Sequence, residues 1–161
     1  MPMEIERKFL VKKEKWQPKD NGTTVRQGYL PQKGELLVRI RRQNDKAYLT
    51  LKGRTEGVSR PEYEYEIPAA EADELLAFCE RPLIEKTRYV EMLDGHTWEI
   101  DKFFGENEGL LIAEIELKSE QEAFTRPDWL GEEVSGDVRY YNSNLSKNPY
   151  ANWGLSTSKN G

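Results

Sequence analysis

Glu4-Ile5-Glu6-Arg7-Lys8 sets three charges, Glu4, Glu6 and Lys8, at alternate positions, with Ile5, Arg7, Phe9 and Val11 between and beyond them. Successive side chains of a β-strand point to opposite faces, so in a strand these three share one face, each roughly 7 Å from the next. A helix would scatter them around its circumference. Two carboxylates on one strand face can hold a hard cation, and the ammonium beside them can meet an anion that the cation also meets. A solvated strand face would show the same residues, so the rest of the chain decides between the two.

The same period recurs along the chain. Strands are expected at Thr24 to Leu30, Leu36 to Gln43, Ala47 to Lys52, Arg60 to Ile67, Ile84 to Leu93, Thr97 to Phe103 and Leu110 to Lys118. Asn44-Asp45 and Asp94-Gly95 supply hairpin turns. The third strand carries Arg39 and Arg41 on one face, the fourth Lys52, the fifth Glu62, Glu64 and Glu66. The sixth carries Lys86 and Arg88, the seventh Glu99 and Asp101, the eighth Glu114, Glu116 and Lys118. Each charged face is mostly of one sign and is backed by apolar residues. A solvated face would mix Thr, Ser, Gln and Lys with less order.

Helices are expected at Ala69 to Glu80, with Leu75, Leu76 and Phe78 packing, from a capping box at Ser119 to Glu122 as far as Pro127, and from about Ser135 to Asp137 through Arg139, Tyr140 and Leu145. Together the pattern predicts a mainly β (α+β) fold. It is an eight-stranded antiparallel closed barrel, tunnel-like, with a charged interior and a few helices covering the apolar outer faces. The 161 residues suit one domain. It is expected over residues 1–146, with 147–161 a polar, poorly ordered C-terminal tail rich in Asn, Ser and Gly.

Apolar residues make up 37% and charged residues 33%, and no stretch reaches the ~18 apolar residues of a membrane span. No signal-peptide core opens the chain, and the single Cys79 makes no internal disulfide, so a cytoplasmic protein is expected. A net charge of −5 argues against nucleic acid or a membrane surface as partner, and leaves room for a local cationic pocket. His96 is expected to be an exposed turn residue, and Trp16, Trp129 and Trp153 packing or surface residues.

An interior this charged holds water, ions and a charged ligand, because an unpaired buried ion costs several kcal/mol. Carboxylates without His or Cys favour Mg²⁺, Mn²⁺ or Ca²⁺ over zinc. Clustered Arg and Lys fit phosphate oxygens. The implied ligand is a chain of phosphates bound end-on.

The opening Glu4-Ile5-Glu6-Arg7-Lys8 resembles the ExExK signature of the CYTH superfamily, the triphosphate tunnel metalloenzymes. Arg39/Arg41, Lys52, Glu62/Glu64, Lys86/Arg88 and Glu114/Glu116 follow in that superfamily's order, over about residues 1–146. The compact size and the run Glu85-Lys86-Thr87-Arg88-Tyr89 look most like the small bacterial tripolyphosphatases.

The resemblance implies a metal-dependent hydrolase of inorganic triphosphate, with nucleoside triphosphates as further substrates, acting through a metal-positioned water. It implies Mg²⁺ or Mn²⁺ held by Glu4, Glu6, Glu114, Glu116 and Asp101. Substrate would meet Lys8, Arg39, Arg41, Lys52, Lys86, Arg88 and Arg139, with Lys8, Glu62 and Glu64 catalytic. A class IV-type adenylate cyclase or a thiamine triphosphatase of the same superfamily, or a non-catalytic polyphosphate- or nucleotide-binding module, are the competing readings. A monomer and a homodimer fit equally.

Overall fold

Asp94 and Gly95 both adopt positive φ, 47° and 81°, the twist that a two-residue hairpin turn needs, and they fold β6 (Ile84–Leu93) back onto β7 (His96–Phe103). Asn44, at φ 56°, opens the equivalent turn between β3 (Leu37–Gln43) and β4 (Lys46–Lys52). The computed structural model describes residues 3–153. The remaining strands are β1 (Met3–Val11), β2 (Thr23–Tyr29), β5 (Ser59–Ile67), β8 (Leu111–Glu116) and β9 (Leu130–Glu133), with helices α1 (Ala69–Leu76) and α2 (Asn142–Lys147).

The strands run in the order β5-β4-β3-β2-β6-β7-β8-β1-β9, every adjacent pair antiparallel, and β5 also pairs with β1. That last pairing closes an eight-stranded barrel, as the charge pattern predicted. The seam is short: Met3, Glu4 and Ile5 face Pro61, Arg60 and Ser59. The expected strands all form, their ends shifted by a residue or two.

The outer face is apolar and is covered in two ways. α1 lays Ala72 and Leu76 on Ile40 and Ala47 of β3 and β4, beside buried Cys79. Phe78, expected on that packing side, is 71% exposed because the helix ends at Leu76 and the chain turns away. Over β1, β7 and β8 the cover is not a helix. Ser119 accepts a single turn's hydrogen bond from the Glu122 backbone, after which the chain extends and places Phe124 and Trp129 edge-on against Trp98. Burying these rings against Phe9, Trp98 and Trp16 outweighs the local capping signal, so the helix expected up to Pro127 does not form, and β9 follows it.

The last helix is also interrupted. A 3-10 turn at Val138–Tyr140 is followed by Tyr141 in extended geometry, φ −69° and ψ 132°, and only then by α2. α2 covers no outer face. Its Leu145 packs with Ile84, Phe103 and Ile112, which share the inward parity of Lys86, Asp101 and Glu114. One end of the interior is therefore an apolar layer sealed by α2, and only the remainder is charged. The chain stays ordered past the boundary expected at residue 146: Tyr150 stacks edge-on with Trp153, and a helical turn spans 150–153. The rest of the expected tail, 154–161, lies outside the described residues.

Candidate active site

Barrel order turns the alternating charges into two walls. The strands that carry acids, β7, β8, β1 and β5, are consecutive around the barrel; β4, β3 and β6 carry the bases on the opposite side, with the uncharged β2 between β3 and β6. Between them lies a cavity of about 230 Å³, lined by Glu4, Glu6, Lys8, Arg39, Arg41, Lys52, Glu62, Glu64, Lys86, Arg88, Glu114 and Glu116. Twelve side chains from six strands thus converge on one space, joined by Glu99, Tyr29, Ser135, Tyr141, Asn142 and Arg60.

On the acidic wall, Glu6 of β1 stands opposite Glu116 of β8, and Lys8 opposite Glu114. Burial, then the charge of Glu114 and a hydrogen bond to it, then Glu4, push Glu6 well above the usual carboxylate range. Burial opposes ionisation of Glu114, but Lys8, the hydrogen bond from Glu6 and Arg88 hold it well below. Glu116 and Glu62 are also raised, by burial and then by Glu4. Among the described residues no three acidic, His or Cys side chains already form a coordination shell. The donor set nevertheless fits a hard divalent cation. Four oxygen-donor carboxylates, Glu4, Glu6, Glu114 and Glu116, crowd two adjacent strands, and burial beside Glu114 and Glu4 disfavours the charged form of Glu6.

Most bases are partnered. Lys52 bridges Glu4 at 3.1 Å and Glu62 at 3.3 Å, and Arg39 meets Glu64 at 3.3 Å. Arg88 grips Asp101 through two bonds of 2.8 and 2.9 Å and reaches Glu99 at 3.3 Å. Lys86 also lies on Asp101, at 2.7 Å. Burial opposes ionisation of Asp101, yet Arg88 and Lys86 hold it at about 2. Burial, then the neighbouring Arg88 and Arg41, outweigh Asp101 and lower Lys86 to about 7. Arg41 differs: its Nε donates to the neutral Gln27 Oε1 at 2.7 Å, and burial with Arg39 and Arg88 nearby lowers it to about 9. Lys8 points to the Tyr140 carbonyl, 3.1 Å away, and to Glu114 at 4.0 Å.

Two residues expected at the site are not in its lining. Asp101 is fully buried behind it, both oxygens occupied by Arg88 and Lys86, so it stands as a counter-ion rather than beside Glu4, Glu6 and Glu116. Arg139 lies in the 3-10 turn outside the barrel, its side chain 57% exposed and paired with Asp137 at 2.6 Å. His96 is not an exposed turn residue: its Nε2 lies 2.6 Å from Glu122, under the Phe124 cover. Sequence reasoning missed Gln27, Asn142, Tyr29 and Ser135, whose neutral side chains stand singly and have no period to betray them.

Fold and site together define a charge-lined tunnel that takes a small polyanion between a basic and an acidic wall. The chain belongs to the CYTH family, whose domain model matches residues 2–147. It is 54% identical over 154 residues to an inorganic triphosphatase of Acetivibrio thermocellus, covering 95% of this chain and 99% of that one. It is 40% identical over 147 residues to an inorganic triphosphatase of Nitrosomonas europaea, covering 89% and 96%. The crystal structure of the inorganic triphosphatase NE1496 superposes with a TM-score of 0.64 at 37% identity, over 88% of this chain and 96% of that one.

Proposed function

We propose that the chain hydrolyses inorganic triphosphate with the help of a divalent metal, Mg²⁺ or Mn²⁺. The observation that carries this reading is the pair of contiguous walls of opposite sign on one cavity. The names of the relatives at 54% and 40% identity agree with it.

The basic wall binds the substrate. Among the described residues Arg41 has no carboxylate to release, so it is the first anchor for a phosphate group. Arg39 exchanges Glu64 for a phosphate oxygen, and Lys52 exchanges Glu62. Arg88 and Lys86 keep Asp101 behind them, which holds both aimed at the cavity. Glu4, Glu6, Glu114 and Glu116 are the residues that would hold the metal. When bound, it supplies charge neutralisation on the phosphates and an activated water. Lys8, lining the cavity opposite Glu114, stabilises charge that builds up on the leaving phosphate. Glu62 and Glu64, released from their cations, face the attacking water as acceptors. Ser135 lines the cavity, but its hydroxyl is held by the Lys8 backbone N–H and by Glu133, so the reading is direct attack by water, with no phosphoenzyme.

A substrate panel tests the function. Inorganic triphosphate, ATP and thiamine triphosphate are offered with Mg²⁺ or Mn²⁺, and orthophosphate, pyrophosphate and cyclic nucleotide are scored. Inorganic triphosphate should turn over fastest, giving orthophosphate and pyrophosphate. Cyclic AMP as the main product would replace the reading by a cyclase, and binding without turnover by a capture module.

A further inference from the structure

β2 stands in the middle of the basic wall, yet sends no charge inward. Its one arginine, Arg26, points outward to Glu85 on the surface. Inward it presents Gln27, which is completely buried. Each polar atom of that amide is used. Oε1 accepts from Arg41 Nε at 2.7 Å, and Nε2 donates to Tyr29 Oη at 3.1 Å and to Asn142 Oδ1 at 3.2 Å. Asn142 Oδ1 accepts a second bond, from Lys86 Nζ at 3.0 Å. The two bases are thus joined through two amides, with an amide oxygen turned to each.

We propose that Gln27 and Asn142 are positioning residues, a neutral relay that aims Arg41 and Lys86 into the cavity and makes the start of α2 part of the substrate site. The chemistry explains why amides stand here. A carboxylate beside Arg41 would orient it equally well, but would neutralise it and compete with phosphate. An apolar residue would leave its charge but not its direction. An amide oxygen orients the guanidinium and leaves its full charge for the anion. Asn142 does the same for Lys86, and its place at the first position of α2 ties that lysine to the helix whose Leu145 seals the apolar end.

The inference rests on inorganic triphosphate as the ligand, and its test is kept separate from turnover. Binding of inorganic triphosphate to the metal-free full chain is measured by titration calorimetry, alongside KM and kcat with metal. Gln27→Leu should weaken binding at least tenfold, and the isosteric Gln27→Glu at least as much, because it pairs Arg41. In an Arg41→Ala background Gln27→Leu should cost less than twofold more; in an Arg39→Ala background it should cost its full amount. The kinetic loss should fall mainly on KM.

Wild-type binding by Gln27→Glu, or full additivity with Arg41→Ala, would overturn the relay, while leaving hydrolysis by the parent chain intact. Should Gln27→Leu melt too early to assay, Asn142→Ala paired with Lys86→Met gives the same cycle at the other end. Non-additivity there supports the relay and additivity overturns it. Parent protein that binds triphosphate but does not turn it over leaves the relay to be judged by binding alone; parent protein that does not bind it overturns both.

Discussion

Glu6 faces Glu116 directly across the β1–β8 ladder, two residues along and on the same face as Lys8 and Glu114. Burial beside Glu114 and Glu4 holds Glu6 well above the usual carboxylate range, and ionising it opposite Glu116 would oppose strand pairing by roughly 0.2–1 kcal/mol. The arrangement is unfavourable for the bare chain and makes sense with a cation between the strands.

Glu6→Gln should therefore raise the melting temperature of chelator-treated protein by up to about 4 °C, while removing turnover with Mg²⁺ or Mn²⁺. Calorimetric melting and a phosphate-release assay on the same preparation check both halves. A lowered melting temperature would show that the pair supports the fold and is not strained by its own charge.

The buried pair Lys86–Asp101 gives stability a defined pH profile. Asp101 titrates at about 2 in the folded chain against an ordinary 3.8. Its stabilisation is complete above the ordinary value and is lost as pH falls through about 2. Lys86 titrates at about 7 against an ordinary 10.5, so between these values the unfolded chain binds more protons and stability rises with pH. Lys86→Met should flatten that rise between pH 7 and 10 in urea titrations. Asp101 keeps Arg88, so the variant should lose less than the ~3–5 kcal/mol typical of breaking a buried pair. An unchanged slope would assign the rise to other groups.

Arg39 and Arg41 lie two residues apart but hold different partners, Glu64 for one and the neutral Gln27 for the other. Glu64→Gln should free Arg39, tightening metal-free triphosphate binding severalfold while lowering kcat. Arg41→Ala should raise KM by about tenfold to hundredfold, since a charge-assisted contact contributes ~1.5–3 kcal/mol. Equal KM for Arg41→Ala and the parent chain would remove Arg41 as the first anchor.

Much of this was legible because a strand writes its two faces into the sequence at alternate positions. Glu62, Glu64 and Glu66 against Tyr63, Tyr65 and Ile67 announce one inward and one outward face before any coordinates. Periodicity gives the face but not the depth: Asp101 shares the parity of Glu99, and only the register, which sets it beside Arg88, shows that its oxygens are already taken. Arg139 was misplaced because the helix through it breaks at Tyr141. The segment from Ser119 to Pro127 was misread for a different reason: Phe124 is claimed by Phe9 and Trp98, contacts far away in sequence. Gln27 and Asn142 are single neutral residues, and nothing local distinguishes them from surface amides.

The most direct test of the central claim, hydrolysis of inorganic triphosphate between the two walls, is a single turnover in ¹⁸O-water with saturating Mg²⁺ or Mn²⁺ and excess protein. The account predicts one orthophosphate and one pyrophosphate per triphosphate, one ¹⁸O atom in the products, and no phosphorylated protein at any time. Loss of product formation in Glu116→Gln should accompany it. Absence of product from inorganic triphosphate with either metal, or a trapped phosphoprotein, would contradict it.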